Sequence, residues 1–200
     1  PVFVRWLMLI LVPALPLLFW WFQKAGKNAI QRFGWAAGIA GGLCWIATLW
    51  FDLETSPGGG WLTLLAVLLL STFIANLLVR LNLDRFMQAS LTIVGLGFVS
   101  MGEGFILSAW FQSDLGWPLW MLGILVQIVG VLLFGITNLK RRVLPRWNFV
   151  PLIMGGSGLC SLVLSITQLS DSDLPLWVFV ISLGCGWMLM GISLIAKKDD

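Results

Sequence analysis

Apolar runs near residues 5 to 22, 34 to 51, 60 to 80, 88 to 111, 118 to 139, 149 to 168 and 175 to 196 fill most of this 200-residue chain, and charge punctuates them in alternation. A helix crosses a bilayer in roughly 20 apolar residues, so each run is long enough to span one. The loop after the first run holds Lys24, Lys27 and Arg32, the next Asp52 and Glu54, and the next Arg80 and Arg85. Asp114 follows, then Lys140, Arg141, Arg142 and Arg146, then Asp171 and Asp173, and last Lys197 and Lys198. Eleven of the twelve Lys and Arg residues thus fall on alternate loops. Because loops rich in Lys and Arg stay in the cytoplasm, the alternation predicts seven transmembrane helices with the N-terminus outside and the C-terminus cytoplasmic. Arg5, the remaining cation, sits near the outer end of its span, within snorkelling reach of the headgroups.

Composition supports the same reading. Apolar residues make up 59% of the chain and charged ones 10%, against about 25% charged in an ordinary soluble domain. Helices are the economical way to cross, since backbone groups exposed to lipid must satisfy one another. The expected fold is therefore all-α, a polytopic membrane helix bundle, with residues 1 to 200 forming a single transmembrane domain. The net charge of +3 is scattered over loops and makes no basic stripe, so no nucleic acid partner is expected. The lipid bilayer is the expected partner.

The first run resembles a signal peptide in its nearby Arg, but it ends in Phe19, Trp20, Trp21 and Phe22, where cleavage needs small residues. It reads as a retained span, kinked at Pro13 and Pro16. Tryptophan marks the span limits independently, because its amphipathic ring favours the headgroup level. Trp6, Trp50, Trp61, Trp110, Trp117, Trp120 and Trp177 fall at outer ends, and Trp20, Trp21, Trp35 and Trp147 at inner ends. Only Trp45 and Trp187 lie deep, where each indole N–H needs a partner.

After the first span (5–22) the chain reads as three repeated helical hairpins, over 34–80, 88–139 and 149–196. Setting Trp61, Trp120 and Trp177 in register superposes Gly42-Leu43-Cys44 on Gly158-Leu159-Cys160 and Trp117-Pro118-Leu119-Trp120 on Leu174-Pro175-Leu176-Trp177. Such duplication is common in membrane bundles. Gly34, Gly38 and Gly42 recur every four residues and form one flat helix face. A face of this kind lets helix backbones approach closely in lipid, within the bundle or against another membrane protein. Gly95, Gly102 and Gly104, then Gly155, Gly156 and Gly158, offer similar surfaces.

Glu103 is the one ionisable side chain well inside a span, about 5 Å outside the bilayer centre at 1.5 Å per residue. In the repeat register it replaces Cys44 and Cys160. Gln127, on the next span, falls at nearly the same depth. A carboxyl so placed costs about 3 kcal/mol to insert, so it is expected to face the bundle interior and pair with Gln127. Ser100, Ser108 and Asn76 are expected nearby. The site is then either a structural clip, a proton or cation site, or a ligand to a bound cofactor.

Other chemistry is sparse. Histidine is absent, which excludes Ser-His and Cys-His nucleophiles and histidine-ligated haem. All five lysines, Lys24, Lys27, Lys140, Lys197 and Lys198, sit at the cytoplasmic side, so no Schiff base with retinal can form mid-membrane. A second buried carboxyl for an aspartic protease and a phosphate-binding loop are both missing. Cys44, Cys160 and Cys185 show no ligand spacing and read as small buried packing residues, so no metal is expected. No cofactor is called for beyond a bound lipid or pigment. The chain is expected not to be an enzyme. It reads first as an accessory or scaffolding subunit of a larger membrane complex, and second as a small transporter or proton- or cation-conducting protein centred on Glu103.

The cytoplasmic segment Val143-Leu144-Pro145-Arg146-Trp147, after a Gly-containing helix and a basic cluster, resembles a loop of small multi-pass membrane proteins of bacteria. That resemblance implies the inner membrane and no particular activity. Physically, Pro145 keeps the fifth and sixth spans apart, and Arg146 and Trp147 suit anchorage at the lipid interface.

Overall fold

The computed structural model describes residues 27–50, 57–144, 146–166 and 174–195, and all regular structure among them is helical. Six α-helices occur in order: α1 (Lys27–Ala47, continued by a 3-10 turn Thr48–Trp50), α2 (Pro57–Arg80), α3 (Arg85–Phe111), α4 (Gly116–Arg141), α5 (Val150–Ile166) and α6 (Leu174–Ile195). The expected first span at 5–22, with its two prolines, lies outside the described residues. So do Arg5, Lys24, the acids of the 51–56 and 167–173 segments, and the terminal lysines. Among the described residues four stretches are long and apolar enough to cross a membrane: Trp61–Arg80, Arg85–Phe111, Gly116–Arg141 and Pro175–Ile195. That is the mark of a membrane protein. Val150–Ser165 is equally apolar but shorter.

Proline and caps explain where helices begin and end. Pro57, Pro118, Pro151 and Pro175 all fall in the first turn of a helix, where a missing N–H costs nothing. Asp84 caps α3, its Oδ1 accepting from Met87 N–H at 2.8 Å, and its other oxygen lies 3.4 Å from Arg141 Nε at the end of α4. Both partners are exposed enough that this ion pair is worth well under about 1 kcal/mol. At the other end of α3, Gln112 turns into the left-handed region (φ 50°) and its N–H bonds Leu107 O, so the chain reverses into α4 within four residues.

By internal contacts the chain divides into two units, residues 1–33 and 34–200. Within the second, consecutive helices pack on one another, and α6 returns to α1, where Gly184 meets Gly42 and Gly191 meets the Trp35 carbonyl. The middle is filled by rings. Trp187 of α6 lies 6.1 Å from Phe73 of α2 and 5.8 Å from Phe98 of α3, and Phe73 lies edge-on to Trp35 at 6.0 Å. Trp35 is 3% exposed, which corrects its assignment to the headgroup level. Its ring is drawn inward because Gly38 and Gly191 leave room beside it for α2 and α6 to approach α1. Cys160 and Cys185 are likewise corrected, since both lie on outer faces, and only Cys44 is partly buried.

The closest helix pair is α3 with α4. Small residues recur every seventh position on both, at Ser90, Gly97 and Gly104 and at Gly116, Gly123 and Gly130. A methyl group added at Gly97 would lie 2.8 Å from the Gly123 carbonyl, and one at Gly123 would lie 2.7 Å from the Gly97 carbonyl. At Gly130 it would lie 2.9 Å from the Ser90 carbonyl. Backbone therefore meets backbone along the whole seam, the arrangement by which helices associate where no hydrophobic force separates them from lipid.

Candidate functional site

The α3–α4 seam also fixes how α3 is rotated, and that decides where Glu103 points. Ser90, Gly97 and Gly104 must face α4, which turns Met87, Leu91, Val94, Phe98 and Met101 into the core, each no more than 1% exposed. With 3.6 residues per turn, Glu103 then lies about 160° around the helix from that core stripe. It is exposed on the outer surface, in line with Thr92, Leu96 and Val99. The expectation that it faces the interior is corrected. The cost of burying a carboxyl in lipid favours an inward rotation, but close packing of three small residues and five large core side chains outweighs one side chain.

The expected pair with Gln127 is not formed either. Gln127 is 1% exposed and packs beside Gly97, and its Oε1 has no hydrogen-bond partner among the described residues. The seam places Gly97 between Gly123 and Gln127, and Gly104 between Gly116 and Trp120. Glu103 therefore stands about two turns, roughly 11 Å, from the level of Gln127. Matching the two by span centres misses the stagger that the glycines impose. Ser100 belongs to the same seam, its Oγ donating to Leu119 O of α4 at 2.8 Å. Asn76 lies against Gly34 of α1, and because Gly95 sits opposite Ile74, its level is about 15 Å from that of Glu103. Ser108 is exposed near the α3–α4 turn. The five polar residues expected together are thus distributed over four places.

The glycines of α1 serve the bundle itself. Gly34 and Gly38 lie against Asn76 and Phe73 of α2, and Gly42 against Gly184 and Met188 of α6. Gly95 and Gly102 of α3 are loosely met, by Ile74 at 3.7 Å and Val67 at 3.4 Å, and Gly156 faces open space. In the repeat register the surroundings diverge. Leu68 is 59% exposed where Gln127 and Gly184 are buried.

At the loop after α4, Asn138 is fully buried and holds the chain at three points. Its Nδ2 donates to Asn148 O at 2.8 Å, its Oδ1 accepts from Leu144 N–H at 3.2 Å, and its carbonyl accepts from Arg142 N–H at 2.7 Å. Ser193 of α6 accepts from Arg146 N–H and donates to Arg146 O, both at 3.1 Å. Arg146 and Trp147 are both exposed, and Trp147 takes a left-handed backbone (φ 54°). Lys140, Arg141 and Arg142 are exposed beside them. Pro145 lies outside the described residues.

Trp45 and Trp187 are 4% and 1% exposed, and neither indole N–H has a hydrogen-bond partner among the described residues. Each such orphan costs about 1–3 kcal/mol. The signals that sequence reasoning passes over are the seven-residue recurrence of small residues on α3 and α4, the capping Asp84, and the Asn138 clamp. Comparison with protein-family models, with curated proteins and with solved structures finds no match.

Proposed function

We propose that this chain is a non-catalytic accessory or scaffolding subunit of a larger membrane assembly. In this reading it crosses a bacterial inner membrane seven times, with the N-terminus outside and the C-terminus cytoplasmic, as one helix followed by three hairpins related by duplication. Arg146 and Trp147, held out beside Lys140, Arg141 and Arg142, rest at anionic headgroups on the cytoplasmic side. The observation that carries the proposal is the outward carboxyl of Glu103. An ionisable group within a span normally faces protein or water, and in an assembly the outer face of α3 is covered by another chain. The centre of the bundle, filled by Trp187, Phe73 and Phe98, lends no polar lining to a conduction path among the described residues.

The test is extraction of native membranes in a mild detergent followed by native electrophoresis. The chain is expected to migrate in a complex well above its own 22.2 kDa plus the detergent belt. Migration as a single chain under every mild condition contradicts the proposal.

A further inference from the structure

The outer surface between α2 and α3 joins two features. The first is an open apolar groove of about 290 Å³, lined by Ser71, Ile74, Ala75, Gly95, Leu96 and Val99. A methyl group added at Gly95 meets only Ile74, at 3.7 Å, so two backbones stand apart here with nothing of the described residues between them. The second is Glu103, one turn beyond Val99 on the same stripe of α3. Small groove walls beside a lone polar group are what a single transmembrane helix needs in order to dock, since association in lipid depends on close packing and inter-helix polar contacts.

Resting on the subunit reading, we propose that this groove seats one transmembrane helix of a different polypeptide, which brings a Lys or Arg side chain to Glu103 in the half of the bilayer nearer the α3–α4 turn. Charge complementarity selects the occupant. A lipid chain fills an apolar groove but offers no donor to a carboxyl. A second copy docked by a two-fold axis sets Glu103 against Glu103 and brings no cation to either. Among the described residues of 34–200, no other face of a copy supplies the missing cation, because every Lys and Arg within their helices lies near the ends remote from the α3–α4 turn. Arg80 closes α2, Arg85 opens α3, and Lys140 and Arg141 close α4. The partner's cation reaches a carboxyl with no hydrogen bond or ion pair among the described residues, so it displaces no bond of these helices.

The experiment is site-specific photocrosslinking of the full chain in its native membrane. The photoreactive residue is placed at Leu96 or Leu68 for the groove face, and at Ile153 of α5 as a remote exposed control. The expected result is a discrete adduct from Leu96 and Leu68 whose partner peptide is a transmembrane segment with Lys or Arg within one turn of the linked residue. Glu103→Lys is expected to reduce that adduct at least about tenfold, and exchanging the partner's cation for Glu to restore it to within about twofold. Glu103→Gln, which keeps the shape without the charge, is expected to lose most of it as well. An adduct of twice the chain's own mass, a partner segment without a cation, or an adduct indifferent to both Glu103 variants overturns the proposal. Adducts only from Ile153 leave the subunit reading standing and remove this groove from it, whereas lipid adducts at every position contradict both.

Discussion

The α3–α4 seam and the α2–α3 groove draw on the same small residues and come out opposite. On the α4 side, Gly97 and Gly104 of α3 face Gly123 and Gly116, so small meets small and the backbones close to the point where a single methyl has no room. On the α2 side, Gly95 and Gly102 of α3 face Ile74 and Val67, whose branched side chains hold the helices apart and leave the groove open outward. On α3, glycine set against glycine closes the backbones on each other, whereas glycine set against Ile74 or Val67 leaves a recess. The one carboxyl within a described helix interior lies beside the recess, not in the seam.

Substitutions separate the two faces, and the largest effect is expected in the seam. Gly123→Leu drives a side chain into the Gly97 carbonyl and the Met101 backbone, neither of which can step aside, and is expected to cost about 3 kcal/mol or more. Reversible unfolding in mixed detergent micelles measures it, and a loss under about 1 kcal/mol would mean the seam is looser than described. Gln127→Leu removes the orphan Oε1 next to Gly97 and is expected to leave stability unchanged or raise it by about 1 kcal/mol. A clear loss in the same unfolding assay would give that amide a partner. Ser100→Ala breaks the bond to Leu119 O and is expected to cost about 0.6 kcal/mol, the usual worth of an inter-helix hydrogen bond in a membrane. Smallest of all, Gly95→Leu fills the recess and is expected to change the stability of the isolated chain by less than about 0.5 kcal/mol while blocking crosslinks from Leu96. A loss as large as that of Gly123→Leu would erase the distinction between the two faces.

Much of the architecture is legible in the chain. Helix limits read from apolar runs, such as 88 to 111 and 118 to 139, fall within three residues of α3 and α4, because loop charges and first-turn prolines both mark the ends. Spacing alone picks out Gly34, Gly38 and Gly42, though not that they divide between α2 and α6. Rotation and stagger are what the sequence hides. Weighing its own insertion cost alone turns Glu103 inward, whereas the orientation of α3 is set jointly by Ser90, Gly97, Gly104 and the core stripe from Met87 to Met101. The clue lies in the seven-residue recurrence shared by α3 and α4, which is weaker to the eye than the four-residue run of α1. Trp35 and Trp187 teach the same lesson for aromatics. Position along a span predicts depth, but which neighbours leave room decides whether a ring faces lipid or core.

The claim on which the rest depends is that Glu103 stands on the outer face of α3. Nitroxide labels at single cysteines replacing Phe98, Val99, Met101 and Glu103, with the three native cysteines removed and the chain reconstituted in bilayers, report this directly through collision with dissolved oxygen. High oxygen accessibility at 99 and 103 with low values at 98 and 101 is the predicted pattern. Low accessibility at 103, matching that at 101, would place the carboxyl inside the bundle and contradict the account.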